Sequence, residues 1–310
     1  MTAVLDTVLP VFVLIGLGYG AVKRKFISDE GLRAMTLFVF VVASPALLFS
    51  GGTRPHEGGG GAAVALLTGA LVIYAAAVIG ARRWGGMDTA EAALFGLACV
   101  FGNTVMMGIP IILAAYGQAG LPSLLAILGV QTVVLLGTAT VLTEFGLNAQ
   151  APWRRLVVAS LQGIGRNPVV LAVIAAFVWT TLGLPVPGAL RATLDLLGAA
   201  ASPLALFCLG GSLVGLSAVA AWRETAVIAT LKLIAQPLLV FAFARLLNLS
   251  PAETAVAVTI AALPTGANAF ILARRYATGA DRSGGAVVLT TALSVLTLSA
   301  LIAWFRGTLP

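Results

Sequence analysis

The chain has 310 residues, of which 60% are hydrophobic and only 9% are charged, and its mean hydropathy is +1.05. A soluble domain carries about 25% charged residues, so this composition excludes a soluble protein and predicts an all-α polytopic membrane protein surrounded by a lipid bilayer. The net charge of +7 comes from cations scattered in groups of one to three between apolar runs, which argues against nucleic acid as a partner.

Ten apolar segments of membrane-spanning length are predicted, because a transmembrane helix needs about 20 mainly apolar residues. They are residues 3–22, 31–50, 62–81, 89–116, 122–145, 167–184, 190–215, 225–246, 252–276 and 285–305. Segments four and nine are long enough to hold two half-helices each. The main polar stretch, residues 146–166, is expected to be a linker between the halves 1–145 and 167–310.

The two halves share short sequence matches. Leu32-Arg33-Ala34 recurs as Leu190-Arg191-Ala192, and Ala43-Ser44-Pro45 recurs as Ala201-Ser202-Pro203, both displaced by 158 residues. Five segments per copy is an odd number, which forces the second copy to enter the membrane from the opposite side. We therefore predict two inverted five-helix repeats, with Pro45 and Pro203 kinking segments two and seven.

Loop charges predict the orientation. The loops after segments one, three, five, seven and nine hold 13 of the 18 Lys and Arg residues, and the loops on the other side hold four. The positive-inside rule places the 13 in the cytoplasm, together with the central linker, and both termini outside. A bacterial inner membrane is the expected location.

Two stretches inside apolar segments are rich in helix-breaking residues: Phe101 to Pro110 in segment four and Leu263 to Asn268 in segment nine. The residues that are costly in a helix interior are Gly102, Gly108, Pro110, Pro264 and Gly266. Both segments are predicted to break within the membrane, where irregular backbone persists only when it is buried or lines a watery cavity. One broken helix in each half indicates a secondary-transporter site.

The residues at these breaks favour an anionic ligand. Backbone N–H groups at the start of a second half-helix attract a carboxylate, the Asn103 amide adds a neutral donor, and Thr104 adds a hydroxyl. Candidate substrate-binding residues are Gly102, Asn103, Thr104, Pro264, Thr265, Gly266 and Asn268. The alternative for the two asparagines is that they only cap their half-helices.

Lys232 is a lone cation inside segment eight. Charged groups within a membrane are expensive and are usually functional or paired. It is either a buried counter-charge, in the place that a coupling sodium ion occupies in related folds, or a lysine that snorkels to the cytoplasmic edge.

No metal site or cofactor is predicted. Cys99 and Cys208 lie in apolar segments without metal-ligand spacing, and the lone histidine, His56, lies in a Gly-rich outer loop with no expected catalytic or ligand role.

The run from Gly102 to Pro110, followed by Ala115-Tyr116-Gly117, resembles the auxin efflux carrier family of secondary transporters. The stretch from Ala261 through Gly266 to Tyr276 resembles the second crossover of that family, and the resemblance covers essentially the whole chain. It implies an inverted-repeat fold in which segments one, two, six and seven form a scaffold, and segments three to five and eight to ten form a moving, elevator-like transport domain. It also implies that two copies of the chain can form a homodimer through the scaffold.

The resemblance also bears on the substrate. Bacterial relatives are described as carriers of small carboxylates such as malate or malonate. Plant members carry Pro where this chain has Gly102, and its central linker of about twenty residues is too short for their long regulatory loop. Auxin itself is therefore not the favoured substrate.

The sequence thus favours a secondary transporter of a small organic anion working by alternating access. A cation/proton antiporter of related architecture is the alternative, but it needs a titrating carboxylate near the crossovers, and Asp6, Glu144 and Asp195 all lie near segment ends. An intramembrane enzyme is disfavoured because the segments contain no His/Asp/Glu cluster and no nucleophile motif.

Overall fold

The computed structural model describes residues 2–54, 59–147, 168–216 and 221–308. His56 and all of the predicted linker after residue 147 lie outside these ranges. Sixteen α-helices and no β-strand occur within them. The protein is therefore all-helical over its described length, as the composition predicts.

The first half contains eight helices: α1 (Thr2–Lys23), α2 (Asp29–Phe38), α3 (Ser44–Gly52), α4 (Gly60–Arg83), α5 (Thr89–Val100), α6 (Ile109–Tyr116), α7 (Leu121–Gln131) and α8 (Gly137–Leu147). The second half contains another eight: α9 (Pro168–Thr181), α10 (Gly188–Ala199), α11 (Ala201–Ser212), α12 (Trp222–Thr230), α13 (Gln236–Leu246), α14 (Pro251–Ala261), α15 (Ala267–Arg275) and α16 (Ala280–Thr308). Several of these follow one another without a loop.

Six helical stretches among the described residues are long and apolar enough to cross a membrane: Asp29–Gly52, Gly60–Arg83, Thr104–Leu147, Gly188–Ser212, Trp222–Leu246 and Ala280–Phe305. Four shorter apolar helical stretches accompany them: Leu9–Lys23, Thr89–Val100, Pro168–Thr181 and Pro251–Ala261. The chain is therefore a polytopic integral membrane protein, and the number of ten spans stays a prediction.

Three prolines follow π-helical turns rather than breaks. The turns Val39–Ala43, Thr104–Gly108 and Leu231–Ala235 lead directly into the helices that begin with Pro45, Pro110 and Pro237 in their first two positions. A proline lacks the N–H donor and its ring crowds the preceding turn, and the wider π turn accommodates both effects.

The prediction that Gly108 and Pro110 break segment four is therefore wrong in detail. Gly108 ends the π turn and Pro110 lies in the first turn of α6, so the chain is helical from Thr104 onward. The break lies just before them, at residues 101–103. Pro45 likewise follows a π turn inside a continuous helix, whereas at Pro203 the helix is interrupted at Ala200, between α10 and α11.

The helices pack in two groups. In the first group, α1 packs against α11, and α3 packs against α9 and α10. In the second group, α4 packs against α5, α7, α13 and α14, α5 packs against α8, and α16 packs against α12 and α15. The two groups meet where α11 contacts α6 and the π turn Thr104–Gly108, and where α1 contacts α16.

Glycines allow the closest helix contact of the first group. A Cβ atom on Gly18 of α1 would overlap the carbonyl oxygen of Phe207, and one on Gly210 of α11 would overlap that of Ile15. Small residues at helix crossings let backbones approach in this way inside membranes, where helices gain no hydrophobic free energy by leaving lipid.

Candidate functional site

The two predicted breaks occur, and they touch each other. Helix α5 ends at Val100, and α14 ends at Ala261. In the non-helical residues that follow these two helices, Gly102 and Thr265 form an isolated antiparallel bridge. The Asn103 N–H donates to the Pro264 carbonyl at 2.9 Å, and the Gly266 N–H donates to the Phe101 carbonyl at 2.8 Å. Extended backbone at this depth is thus satisfied by its counterpart from the other half, as burial in an apolar environment requires.

The carbonyl ends of the two first half-helices are bonded by side chains from one stretch of segment eight. The Gln236 Nε2 donates to the Val100 carbonyl at 3.1 Å, and the Lys232 Nζ donates to the Ala261 carbonyl. The last carbonyls of a helix have no intrahelical partner and carry the negative end of its dipole. Lys232 and Gln236 lie four residues apart. Gln236 therefore bonds the end of the helix before the first crossover, and Lys232 bonds the end of the helix before the second.

A cavity of about 180 Å³ lies beside the crossovers, and neither Lys232 nor Gln236 lines it. Helices α2 and α9 and the end of α11 contribute Thr36, Val169 and Ser212, so both helix groups line it. The other polar residues and crossover residues in its lining are Gly102, Asn103, Thr104, Gln131, Thr132, Gly266 and Asn268. The cavity is where the first turns of the two second half-helices begin, and free N–H groups at such ends attract anions.

Asn103 is the most distinctive residue of this cavity. Its side chain is only 6% exposed, and its Nδ2 is a buried donor without a hydrogen-bond partner among the described residues. It stands at the N-cap position of the π turn Thr104–Gly108, yet its side chain makes no capping hydrogen bond. Buried polar atoms are nearly always bonded, so an unbonded donor beside a cavity indicates a ligand or an ordered water.

Asn268 differs from Asn103 in position. The N-cap of α15 is Gly266, which has no side-chain cap, so Asn268 is the second residue of the helix and lines the cavity. Neither asparagine makes the capping hydrogen bond that the sequence left open as an alternative.

Two predicted binding residues do not line the cavity. Thr265 is fully buried, its Oγ1 donates to the Ala98 carbonyl at 2.9 Å, and its N–H donates to Thr290 Oγ1 at 3.0 Å. The Pro264 carbonyl accepts the bond from Asn103. The polar groups of both residues are thus bonded within the protein, and the predicted substrate-binding role of these two residues finds no support in the cavity lining.

Gln131 is a cavity residue that sequence reasoning missed. It is 3% exposed, ends α7, and its Nε2 donates to Thr104 Oγ1 at 3.1 Å. Thr104 Oγ1 in turn lies 3.4 Å from the Gly102 carbonyl. The signal was present: a lone glutamine in apolar segment five has the same character as the lone lysine that drew attention in segment eight.

Lys232 is fully buried, with 0% exposure, and does not line the cavity. Its side chain therefore does not snorkel to an edge of the protein. A Cβ atom built on Gly102 would lie 3.6 Å from Lys232 Nζ, so the ammonium lies directly behind the cavity wall that Gly102 forms.

None of the described residues that line the cavity is acidic. Glu144 accepts a hydrogen bond from the Tyr276 hydroxyl at 2.8 Å. Asp195 accepts one from Ser50 and pairs with Arg54 at 3.4 Å, in a separate pocket. The side chain of Asp6 lies outside the described part. No group of three or more metal-ligating side chains occurs among the described residues.

Comparison with known proteins identifies the family. The profile of the family described as "Membrane transport protein" matches residues 3–302. The chain is 28% identical over 316 residues to a "Putative malonate transporter" of Rhizobium meliloti (strain 1021), covering 100% of this chain and 98% of that protein. It is 24% identical over 288 residues to the "Uncharacterized transporter YfdV" of Escherichia coli (strain K12), covering 89% of each. This agrees with the resemblance of its crossover motifs to the auxin efflux carriers. The chain therefore belongs to the membrane transport protein family, and it is a transporter and not an enzyme.

Proposed function

We propose that this protein is a secondary transporter that moves a small carboxylate, of the malonate or malate type, across a bacterial inner membrane by alternating access. The observation that carries the proposal is the buried, unbonded Asn103 amide in a cavity where two half-helices begin. The name of the R. meliloti relative supports a short dicarboxylate as the first substrate to test.

The chemistry of the cavity suits a carboxylate. Its described lining offers the Asn103 amide and backbone N–H groups at two helix starts, and it presents no acidic side chain. Lys232, one backbone thickness away, provides a positive counter-charge when the anion is bound. Hydrogen bonds from neutral donors to a charged acceptor are stronger than those between neutral groups.

The proposed architecture has ten spans arranged as two inverted five-helix repeats, with both termini outside. The packing supports the division into a scaffold of α1–α3 and α9–α11 and a transport domain of α4–α8 and α12–α16, because these are the two groups of mutually packed helices. The cavity is lined by both groups, so movement of one against the other would change its access. The homodimer through the scaffold stays a prediction.

Cation/proton antiport is the less supported alternative. It requires a carboxylate at the crossovers that binds cation and proton in turn, and the described cavity lining contains neither Asp nor Glu.

Uptake of radiolabelled malonate into proteoliposomes tests the proposal. The wild-type protein is expected to take up malonate, equally in sodium and in potassium media, because the Lys232 ammonium replaces a coupling sodium ion. A thermal-shift screen of short mono- and dicarboxylates identifies the preferred substrate, because a ligand stabilises the state that it binds. Absence of uptake and of any thermal shift across the screen would contradict an anion carrier.

The orientation has its own test. Cysteines introduced singly at Arg54 and Arg154 should be labelled from opposite sides of the membrane, Arg54 from outside. Labelling of both from one side would contradict the inverted repeat.

A further inference from the structure

Lys232 is the only charged side chain among the described residues that is fully buried. Its Nζ donates to the carbonyl of Ala261, the last residue of α14, and it forms no ion pair within the described part of the chain. One carbonyl does not offset the free energy of keeping an ammonium out of water, because a buried charge normally requires an opposite charge.

No carboxylate among the described residues forms an ion pair with Lys232. The turn Leu231–Ala235 packs against α5 and α16, and Lys232 also reaches the end of α14. The charged or titratable residues of these elements and of the helices flanking the turn are Glu91, Cys99, Arg223, Glu224, Arg245, Glu253, Asp281, Arg282 and Arg306. Glu91 pairs with Arg282 at 2.7 Å, and Glu253 accepts a bond from the Gly59 N–H at 3.0 Å.

Of these groups, Cys99 lies on α5, against which the turn Leu231–Ala235 packs. Cys99 is fully buried, and its neutral thiol carries no negative charge that could balance an ammonium. A negative charge that pairs with Lys232 is therefore not found within the described part of the chain. Gly102, whose added Cβ would lie 3.6 Å from Lys232 Nζ, also lines the cavity, so an anion bound in the cavity could supply such a charge.

We infer, on the basis of the anion transport proposed above, that Lys232 is a neutral amine in the empty carrier and binds a proton when an anion enters the cavity, so that a proton is transported with each anion. In this step the Nζ lone pair accepts H⁺ from water, no bond of the anion breaks, and the proton leaves when the anion leaves. A neutral amine keeps two N–H donors, so the bond to the Ala261 carbonyl is available in both forms.

The coupling follows from linkage. An anion and an ammonium separated by one backbone attract strongly where water is excluded. If the anion favours proton binding by a given factor, the proton favours anion binding by the same factor. When the anion is released, the ammonium loses its opposite charge and gives up its proton. The empty carrier then returns across the membrane without an unpaired buried ammonium.

Calorimetric titration of the purified wild-type protein with malonate, in buffers of different ionisation enthalpy at pH 8, counts the protons exchanged. Carboxylates ionise near pH 4, so free malonate is fully charged at this pH and any proton taken up enters the complex on binding. We expect uptake of about one proton per malonate bound.

Two variants assign that proton. Lys232→Arg carries a guanidinium that stays protonated, so it should bind malonate with no proton uptake. Gln236→Met, four residues along on the same stretch, removes the equivalent bond to the other crossover but no titrating group, so its proton count per malonate should match wild type even if its affinity falls.

Each outcome decides the inference. Malonate binding by wild type without proton uptake would overturn it and leave the carrier assignment intact, and so would undiminished uptake in Lys232→Arg. If Lys232→Arg does not fold, Lys232→Gln takes its place, and persistence of proton uptake in Lys232→Gln would overturn the inference. Failure of the wild type to bind malonate or any other short carboxylate would remove the proposed function and this inference with it.

Discussion

The two crossovers are built from similar residues and lie against each other, but they do different work. In the first crossover, Asn103 leaves a buried donor unbonded beside the cavity. In the second, Thr265 uses both its N–H and its hydroxyl to bond Thr290 and Ala98. The comparison teaches that similar residues can be used differently: the second crossover bonds the polar groups of Thr265 within the protein, whereas the first leaves the Asn103 donor beside the cavity without a partner among the described residues.

The glycines of the two crossovers differ in the same way. A Cβ atom on Gly266 would lie 2.9 Å from the Gly102 carbonyl oxygen and 3.1 Å from Phe101 Cδ1. A Cβ atom on Gly102 would meet nothing closer than 3.4 Å. The second crossover therefore needs its glycine for close backbone approach, and the first does not.

Gly266→Ala should give the largest effect. Its methyl group would push against the backbone of the first crossover, and overpacking of this kind costs about 1–3 kcal/mol of stability. We expect a lower melting temperature and loss of most malonate uptake, measured on the purified and the reconstituted protein. Wild-type uptake and melting by this variant would contradict the close contact between the crossovers.

Asn103→Ala should come next and should act on binding alone. Loss of a hydrogen bond to a charged group of about 1.5–3 kcal/mol weakens malonate binding roughly 10- to 150-fold. The melting temperature of the empty protein should not fall, because the amide has no protein partner to lose. Asn103→Asp should bind still more weakly, since it places a like charge against the carboxylate.

Asn268→Ala is the matched control on the second crossover. If the first crossover is the ligand-binding one, this variant should weaken binding less than Asn103→Ala. An equal or larger loss would mean that the two crossovers share the ligand, and the distinction drawn above would be wrong.

Thr265→Val should show the reverse pattern. The substitution keeps the shape of the side chain but removes the hydroxyl that bonds the Ala98 carbonyl, at a cost of about 1–3 kcal/mol, while the backbone N–H that bonds Thr290 is retained. Thermal unfolding should therefore report a destabilised protein, while calorimetric affinity for malonate in the folded protein stays within about threefold of wild type, less than 0.7 kcal/mol. A large loss of affinity at unchanged stability would place Thr265 in the binding site.

Gly102→Ala should have the smallest effect. The added methyl group would make ordinary contacts with Ile260, Leu263 and Lys232 at 3.4–3.6 Å. Stability should change by no more than about 0.5 kcal/mol, as for substitutions that disturb no packing. Malonate uptake close to wild type would show that Gly102, unlike Gly266, tolerates a side chain. A severe defect in uptake would show that the first crossover also requires a glycine.

Sequence reasoning located the breaks because they depend on local chemistry. Gly and Pro destabilise the interior of a helix wherever they occur, so the presence of non-helical residues around Gly102 and Pro264 can be predicted from the sequence. The same local rule wrongly extended the predicted break to Gly108 and Pro110, because a π turn accommodates a proline without ending the helix. Local propensity does not distinguish these two solutions.

By itself, the sequence determined that this is a polytopic membrane protein, that segments four and nine break, and that Asn103 and Lys232 are unusual for their depth, because hydropathy and backbone propensity act over a few residues. Only the tertiary structure decided which polar groups were already bonded. Thr265 turned out to be bonded to Ala98, 167 positions away, and Lys232 to Ala261 in a different helix. Such pairings depend on how distant helices pack, and a buried donor is free for a ligand only when that packing leaves it without a partner.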